Sequence, residues 1–300
     1  MAISGRRLLV TGASGFLGWN VCAEAVSRYE VTGTVREHDV ALPVGTVSVR
    51  VDLAVPDQVE ALLDRVRPDL LIHCAALAAA AACEADPAAS RRANVDVTRT
   101  LAGQCAARGV RLVFCSTDLV FDGLHAPYAE ADPTCPVNVY GRHKAEAEQC
   151  VLGAGPTGVV CRLPLLFGRG SAASGSILRG MVETLQAGGA LRLFEDEFRT
   201  PTDGRSAARG LLAAALGEAR LLHLGGPERL SRYDFGVRVV RAFGFSERQL
   251  LRCRQSSVPA TAARPPDVAL DSRLARRLGI VPAPLDEGLR RLAAEMPSSR

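Results

Sequence analysis

Short apolar segments alternate with longer amphipathic segments along the 300-residue chain. The apolar segments show little of the polar alternation expected where one face of a strand meets water. They are therefore typical of strands that are buried on both faces of a parallel sheet. The strands predicted in this way are residues 8–10, 31–35, 47–51, 69–74, 111–115, 159–163 and 219–224.

Between these strands, apolar residues recur at intervals of three and four, which is the spacing of one helix face. Val59, Leu62, Leu63 and Val66 are an example. The predicted helices are a segment after residue 18, residues 56–66, 90–108, a segment from 138, 176–186, 205–216, 231–243, 272–278 and 285–294. Strands that alternate with helices indicate an α/β fold with a doubly wound parallel sheet, in which helices cover both faces.

Three glycines, Gly12, Gly15 and Gly18, join the first predicted strand to the first predicted helix. Such a turn lets the backbone approach a pyrophosphate, and the helix N-terminus offers it unpaired N–H groups and a partial positive charge. The spacing is Gly-x-x-Gly-x-x-Gly, not the common Gly-x-Gly-x-x-Gly. With a strand before it and a helix after it, the turn predicts dinucleotide binding by a Rossmann fold. The turn residues expected at the cofactor are Gly12, Ser14, Gly15, Phe16, Leu17 and Gly18.

The end of the second predicted strand indicates which dinucleotide binds. This position faces the adenosine ribose, where an arginine accommodates a 2′-phosphate and an acidic residue binds the 2′-hydroxyl. Arg36 stands there and favours NADP, whereas Glu37 directly after it keeps NAD possible. At the end of the third strand, Asp52 with its neighbour Leu53 is expected at the adenine. The carboxylate could instead cap the next helix.

Small residues follow the fourth predicted strand. Cys74, Ala75 and Ala76 would let the backbone lie against the cofactor. Farther along, Asn94 lies inside the predicted helix 90–108. Asparagine is mildly unfavourable in a helix interior, so a functional role is expected for it.

Tyr140 and Lys144 lie four residues apart on one predicted helix and therefore share a face. A phenol has a pKa of about 10, but a nearby ammonium favours the phenolate and lowers that pKa. Such a tyrosine can protonate a carbonyl oxygen as hydride reaches the carbon. Thr117, with Ser116 beside it at the end of the fifth strand, is expected to donate a second hydrogen bond to the developing oxyanion. His143 is expected to point to solvent.

Composition and charge exclude several other classes of protein. The net charge of +4 comes from 36 basic and 32 acidic residues, and no long basic run favours nucleic acid. The nine cysteines include no Cys-x-x-Cys pair, so we expect reduced thiols and no metal site. The longest apolar tract, residues 70–83, is half alanine and too short to span a membrane. With no signal peptide before the first strand, a cytoplasmic protein is expected.

The predicted elements divide the chain into two units. Residues 1–164 form a dinucleotide-binding unit, which residues 205–224 complete. Residues 165–204 and 225–300 form a smaller C-terminal α/β cap, which is expected to bind the substrate.

Several motifs resemble those of a known family. The pattern Thr-Gly-x-x-Gly-x-x-Gly at residues 11–18 resembles the extended short-chain dehydrogenase/reductase superfamily. Within it, residues 116–123, Ser-Thr-Asp-Leu-Val-Phe-Asp-Gly, are nearly the Ser-Thr-Asp-Tyr-Val-Phe-Asp-Gly of the dTDP-4-dehydrorhamnose reductase family. Residues 199–202 and the Arg-Pro pair at 264–265 resemble later motifs of that family, so the resemblance covers nearly the whole chain.

The resemblance implies that NADPH or NADH reduces the 4-keto group of a dTDP-linked deoxysugar. It implies that Thr117, Tyr140 and Lys144 are catalytic and that Asn94 supports the active site. It also implies a possible homodimer. The further residues expected at the cofactor are Asn94, Ser116, Tyr140, Lys144 and Leu163. The candidates for contact with the nucleotide diphosphate, each of which taken singly is expected to be a solvated surface residue, are Arg162, Arg169, Arg199 and Arg264.

Two alternatives to a 4-ketoreductase stay open. One is a reductase or epimerase of the same superfamily that acts on another carbonyl. The other is a non-catalytic, NADP-binding regulatory subunit. The regulatory β subunit of methionine adenosyltransferase shares the Asp-x-Val-Phe-Asp-Gly stretch, and residues 223–235 also resemble it. The alanine run at 78–82 replaces the polar side chains that the reductases place near the sugar.

Overall fold

A seven-stranded parallel sheet forms the centre of the fold. The computed structural model describes residues 5–36, 40–172 and 174–296. The strands of the protein are β1 (Arg7–Thr11), β2 (Glu30–Val35), β3 (Thr46–Arg50), β4 (Leu70–His73), β5 (Arg111–Thr117), β6 (Gly158–Leu163), β7 (Leu166–Phe167), β8 (Leu191–Phe194), β9 (Phe198–Arg199), β10 (Thr202–Asp203), β11 (Leu221–His223), β12 (Leu230–Ser231) and β13 (Leu250–Cys253).

Helices cover both faces of the sheet and build the C-terminal part of the chain. They are α1 (Phe16–Ala25), α2 (Pro56–Val66), α3 (Ala80–Ala85), α4 (Pro87–Arg91), α5 (Val97–Arg108), α6 (Val139–Gly153), α7 (Ile177–Gln186), α8 (Gly204–Leu216), α9 (Arg232–Phe243), α10 (Arg273–Arg277) and α11 (Leu285–Glu295). A π-helical turn (Arg92–Asp96) joins α4 to α5, and 3₁₀ turns lie at Asp118–Val120, Glu247–Gln249 and Gln255–Ser257.

The strands of the central sheet lie in the order β11-β6-β5-β4-β1-β2-β3, and every neighbouring pair is parallel. From β1 the chain moves outward to β2 and β3 and then returns to the other side of β1 at β4. This reversal leaves a crevice beyond the carboxyl ends of β1 and β4, which is where open α/β sheets bind ligands. The prediction of a doubly wound parallel sheet is confirmed, with strand bounds that differ by one or two residues.

The sheet separates two hydrophobic cores. Side chains of successive strand residues point to opposite faces. Val10 and Ile72 therefore lie in one core, under α1 and α8, while Leu9 and Leu71 lie in the other, under α2, α5 and α6. The nearly continuous apolar strands that the sequence shows are explained by this burial on both faces.

A third core supports the predicted division at residue 164, which remains a prediction. This core comprises Phe167, Leu178, Phe235 and Leu289 from the C-terminal part of the chain. The segment around α10 behaves differently, because Ala275 and Ile280 pack into the first core beside α8. The predicted boundaries did not anticipate that part of the cap sequence returns to the sheet.

Two local features depart from the predicted elements. The helix predicted at residues 90–108 begins earlier, at Pro87, and contains the π turn, which an apolar spacing pattern does not reveal. Part of the alanine run forms α3, in agreement with the high helix propensity of alanine. Within the described ranges, each helix is too short or too polar to cross a bilayer.

Leu71→Ala is expected to destabilise the protein by about 2–5 kcal/mol, because the side chain is fully buried in a central strand and truncation leaves a cavity. Leu124→Ala is the matched control, since Leu124 is 70% exposed, and it should change the free energy of unfolding by less than about 0.5 kcal/mol. Urea unfolding measures both values. Equal decreases in the free energy of unfolding of the two variants would contradict the burial of Leu71 and the exposure of Leu124.

Candidate active site

A groove of about 360 Å³ lies at the crevice between β1 and β4. The glycine turn forms its floor with a tight backbone approach. A Cβ atom at Gly12, where φ is +68°, would lie 2.8 Å from the backbone of Ala75, and one at Gly18 would lie 2.2 Å from the Gly12 carbonyl oxygen. Only glycine fits these positions, and the absent side chains leave the space that a pyrophosphate needs. The groove therefore fits a dinucleotide.

Most of the residues predicted at the cofactor line this groove. They are Gly12, Ser14, Gly15, Arg36, Asp52, Leu53, Cys74, Ala75 and Ala76. Phe16, Leu17 and Gly18 lie in the first turn of α1 and do not line it. The lining residues that sequence reasoning missed are Thr34, Val35, Val51, Ala54, Leu77, Ala93 and Val97. All of them lie at or near strand ends or on the facing helix, so the strand pattern could have suggested them.

Arg36 bears on which dinucleotide binds, and Asp52 on how the adenine is held. Arg36 is exposed at the end of β2 and lines the groove. Glu37, which kept NAD possible, lies outside the described residues. Asp52 accepts a hydrogen bond from the Ala54 N–H at 2.9 Å in a local turn, and α2 begins later, with Val55 as its N-cap. The alternative of Asp52 as a helix cap is therefore wrong. Asp52 lies in the groove wall, and its contact with the adenine stays a prediction.

Asn94 holds the loop that closes one side of the groove. It lies in the π turn and is buried. Its Oδ1 accepts a hydrogen bond from the Leu77 N–H at 2.9 Å, and its Nδ2 donates to the Leu77 carbonyl at 3.0 Å. An amide side chain can satisfy both backbone groups at once, because it carries a donor and an acceptor. Asn94 therefore positions the segment after β4.

Tyr140 and Lys144 project from the start of α6, whose N-terminus is doubly capped. The Asn138 side chain accepts a hydrogen bond from the Gly141 N–H at 2.8 Å, and a Glu84 carboxylate oxygen accepts one from the Val139 N–H at 2.8 Å. Orphan N–H groups of a first helical turn are satisfied in this way. The caps fix the orientation of the helix turn that carries the tyrosine.

The first turn of α6 lies directly against the 3₁₀ turn at the end of β5. A Cβ at Gly141 would lie 2.2 Å from the Leu119 carbonyl oxygen, so only glycine permits this approach. Tyr140 also packs with Cys83 and Ala80 of α3. The alanine run thus supplies small residues beside the tyrosine.

Lys144 is buried, and its Nζ donates a hydrogen bond to the Cys115 carbonyl at 2.5 Å. The ammonium also lies 3.9 Å from the centroid of the Phe114 ring. Burial lowers the pKa of Lys144 to about 8, because low-dielectric surroundings disfavour the charged form. The lysine is therefore still mostly protonated at neutral pH.

The pKa of Tyr140 departs from the expectation. Burial raises it above the ordinary value, and the nearby Asp118 carboxylate adds to this increase. The sequence predicted a lowered pKa from Lys144, but the ammonium donates to the Cys115 carbonyl in this structure. The phenol consequently stays protonated at neutral pH, which is the form that can donate a proton.

Thr117 is the last residue of β5, and Asp118 is the first residue of the 3₁₀ turn that follows. The Thr117 hydroxyl donates to Asp118 Oδ1 at 3.1 Å and accepts from the Leu119 N–H at 3.2 Å. Asp118 is only 3% exposed. Its Oδ2 accepts no hydrogen bond from any described residue, although Arg199 Nε lies 3.6 Å away. Burial raises the pKa of Asp118 to about 6, against the opposing effect of Arg199. Sequence reasoning gave Asp118 no role.

The structure corrects three expectations about surface residues. Arg162 and Arg199 are buried, each in an ion pair, with Glu148 at 2.8 Å and with Glu197 at 3.3 Å. His143 is partly buried, and its Nδ1 lies within hydrogen-bond distance of the Ser90 hydroxyl, at 2.8 Å. Both arginines can be buried because a carboxylate pairs with each guanidinium inside the protein.

The other candidates occupy varied positions. Ser116 donates to Glu148 at 2.5 Å, and strand alternation directs it away from its neighbour Thr117. Leu163 lies in the first core. Arg169 is exposed, whereas Arg264 is half-buried with its guanidinium 5.0 Å from the centroid of the Phe194 ring.

The cysteines and the acidic residues form no metal centre in the part of the chain that the structure describes. All nine cysteines are free thiols. The thiols of Cys74 and Cys115 form a hydrogen bond at 3.6 Å between their Sγ atoms and no disulfide.

Asp118→Asn is expected to gain stability relative to the wild type as the pH rises. The Asp118 pKa is about 6 in the folded protein and about 3.9 in an unfolded chain. Protonation therefore favours folding below about pH 4, and this contribution is lost as the pH rises through about 6. The variant should gain about 1 kcal/mol on the wild type between pH 5 and pH 7.5, as measured by urea unfolding.

Asp122→Asn is the control for this comparison. A hydrogen bond from Tyr128 lowers the pKa of Asp122, so that carboxyl is ionised in the folded and unfolded states at both pH values. Its variant should lose the same amount of stability at each pH. A pH-independent difference for Asp118→Asn would contradict the raised pKa.

Comparison with known proteins places the chain among sugar-nucleotide enzymes and their relatives. The family model described as RmlD substrate binding domain matches residues 6–298. Methionine adenosyltransferase 2 subunit beta of Rattus norvegicus is 30% identical over 288 residues, which cover 93% of this chain and 84% of the relative. The dTDP-4-dehydrorhamnose reductase of Burkholderia thailandensis is 28% identical over 293 residues, with coverage of 91% and 93%.

A solved structure shows the same fold. The dTDP-4-dehydrorhamnose reductase of Bacillus anthracis, in complex with NADP, superposes with a TM-score of 0.86 at 22% identity and covers 97% of this chain and 100% of its own. The family model matches nearly the whole sequence, and the matched residues include the glycine turn and α6. The chain is a member of the RmlD substrate-binding-domain family.

Proposed function

We propose that the protein is an NAD(P)H-dependent reductase of a nucleotide-linked 4-keto-deoxysugar, in which hydride passes from the nicotinamide to C4 and Tyr140 protonates the carbonyl oxygen. The observation that carries the proposal is the packing of the first turn of α6 on the end of β5. It holds the turn that carries Tyr140 against the segment directly after Thr117, and Lys144 bonds to the Cys115 carbonyl two residues before Thr117. The homology to a dTDP-4-dehydrorhamnose reductase supports the substrate class.

The groove at the β1–β4 crevice would hold the dinucleotide. The backbone of Gly12, Gly15 and Ala75 would lie along the pyrophosphate, and Arg36 would pair with a 2′-phosphate. NADP is therefore the preferred cofactor, with NAD possible, and the NADP complex of the structural relative supports this preference. The bound nicotinamide supplies the hydride.

The three catalytic candidates would act on the carbonyl oxygen in complementary ways. Tyr140, protonated at neutral pH, would donate its proton to that oxygen. The Thr117 hydroxyl would turn from Asp118 to donate a second hydrogen bond. Lys144 would stabilise the phenolate that remains on Tyr140, because its ammonium lies one helical turn away. Asn94 would keep the loop after β4 in place behind them.

A regulatory role is the second candidate. The methionine adenosyltransferase subunit is as similar in sequence as the reductases, and the alanine run beside Tyr140 departs from the polar residues that the resemblance implies for reductases. In that case the chain would bind the dinucleotide without turnover. The cytoplasmic location, the homodimer and the absence of a nucleic-acid partner remain predictions.

Tyr140→Phe should lower turnover by about 10²- to 10⁴-fold, because it removes the proton donor. NADPH binding should persist. The assay follows NADPH absorbance with dTDP-4-dehydro-6-deoxy-L-mannose and is repeated with NADH. Tyr233→Phe, in the cap, is the matched control and should keep full activity.

Steady oxidation that disappears only in Tyr140→Phe supports the reductase. Full activity in Tyr140→Phe would overturn the mechanism. Tight NADPH binding without any oxidation by the wild type would overturn the substrate proposal and favour the regulatory role or another carbonyl substrate.

Arg36→Ala should weaken NADPH binding about 10- to 100-fold, because a charge-assisted hydrogen bond to the 2′-phosphate is lost. NADH binding should change by less than about threefold, since NADH lacks that phosphate. Fluorescence titration gives both dissociation constants. Arg65→Ala, an exposed arginine of α2 outside the groove, is the control. Equal losses of affinity for NADPH and NADH in Arg36→Ala would show that Arg36 does not bind the 2′-phosphate.

A further inference from the structure

A row of buried polar side chains lies beneath α6, next to the candidate catalytic residues. Ser116 of β5, Arg162 of β6 and His223 of β11 are register partners across three adjacent strands. The carboxylate of Glu148, which is fully buried on α6, lies over this row. The proposed reaction gives none of these four residues a direct role.

The row is closely hydrogen-bonded around the Glu148 carboxylate. The Ser116 hydroxyl donates to Oε1 at 2.5 Å. Arg162 donates from Nε at 3.0 Å to Oε1 and from Nη2 at 2.8 Å to Oε2. An arginine–carboxylate pair bonded at two points has a defined geometry and is strong in a dry interior.

His223 completes the row as a neutral side chain. Its Nδ1 lies 3.0 Å from the Tyr128 carbonyl and must donate to it, so Nε2 is left to accept from Arg162 Nη1 at 3.2 Å. Burial, with the Arg162 charge, lowers the pKa of His223 to about 4. The row therefore holds one negative and one positive charge at neutral pH.

The position of Glu148 ties this row to the catalytic candidates. Tyr140, Lys144 and Glu148 are spaced by four residues and lie along one face of α6. Lys144 bonds to the carbonyl of Cys115, and Glu148 bonds to the side chain of the next residue, Ser116. Two successive residues of β5 are thus attached to two successive turns of α6, immediately before Thr117.

We propose that Glu148 is a positioning residue, which with Arg162 as its counter-ion keeps Lys144 charged and fixes the end of β5 against α6. The proposal rests on the proposed reductase function for its effect on turnover. The effect of Glu148 on Lys144 is independent of the proposed reductase function.

The charges around Lys144 explain why the carboxylate matters. Tyr140 and Glu148 lie one helical turn to either side of Lys144 on α6. Cys115 of β5, His73 of β4 and Cys74 directly after β4 interact with Lys144 electrostatically. His73 is neutral, because burial lowers its pKa to about 3. Glu148 favours the charged form of Lys144 and opposes the effect of burial. Without the carboxylate, the positive charge of Arg162 would stay buried beneath α6 with no carboxylate paired to it.

The chain offers a direct measurement, because Lys144 is its only lysine. Lysine labelled with ¹³C at Cε gives a single side-chain signal in the untagged, full-length protein, and its chemical shift reports the titration of Lys144. In Glu148→Gln the pKa of Lys144 should fall by about one unit or more. Glu146→Gln, which alters an exposed carboxylate on the same helix, should leave the pKa unchanged.

The double variant Glu148→Gln/Arg162→Met tests the counter-ion and covers the case in which the single variant does not fold. It removes both charges and leaves neither one buried alone. The pKa of Lys144 should lie below the wild-type value and above that of Glu148→Gln. A wild-type pKa in whichever of these variants folds would overturn the proposal.

Turnover separates this proposal from the proposed function. In Glu148→Gln the basic limb of the kcat/KM profile should move to lower pH by the same amount as the pKa of Lys144, with NADPH binding retained. Ser116→Ala should lower kcat about 3- to 10-fold without a shift of that pKa. If the wild type shows no turnover, the NMR titration still decides the role of Glu148. If turnover is present and the limb does not move, the link from Glu148 to catalysis is wrong.

Discussion

The contact between the first turn of α6 and the end of β5 determines the rest of the site. Gly141 lets the helix approach the Leu119 carbonyl, and Lys144 then reaches the Cys115 carbonyl from the next turn. Both contacts are made to backbone carbonyls, which every residue type presents, so they do not depend on the side chains of Leu119 and Cys115. Any change that pushes the helix outward would move Tyr140 and break the hydrogen bond from Lys144 to the Cys115 carbonyl at the same time.

The dinucleotide groove depends on a related constraint, the absence of side chains. Gly12 and Gly18 lie so close to other backbone atoms that any larger residue would force the turn apart. Backbone at the ends of strands forms much of the groove, and two hydrogen bonds made by Asn94 hold the loop after β4 beside it. The site thus combines a groove for the cofactor with a buried carboxylate at Asp118, one oxygen of which accepts no hydrogen bond from any described residue.

The sequence predicts the sheet well, because strands buried on both faces leave long apolar runs and the glycine turn marks the crevice. Tyr140, Lys144 and Thr117 are also recognisable from spacing and order. The sequence does not reveal the burial of Arg162 and Arg199, because the carboxylates of Glu148 and Asp118 come from other elements and are brought close to them only by the fold. The predicted lowering of the Tyr140 pKa was wrong for a similar reason. Tertiary packing determines that Lys144 bonds to the Cys115 carbonyl, and burial raises the pKa of Tyr140.

The π turn at Arg92–Asp96 has a consequence for how this helix tolerates change in length. A π turn accommodates one more residue than the α-helical path, so the helix on either side keeps its own phase. Deletion of one residue here would return the segment to a regular α-helix and leave α5 packed as before, while the amide of Asn94 would rotate away from Leu77. The helix can therefore lose a residue at this point without losing its core contacts. The deletion would disturb the groove, where Asn94 holds Leu77, and would leave the fold intact.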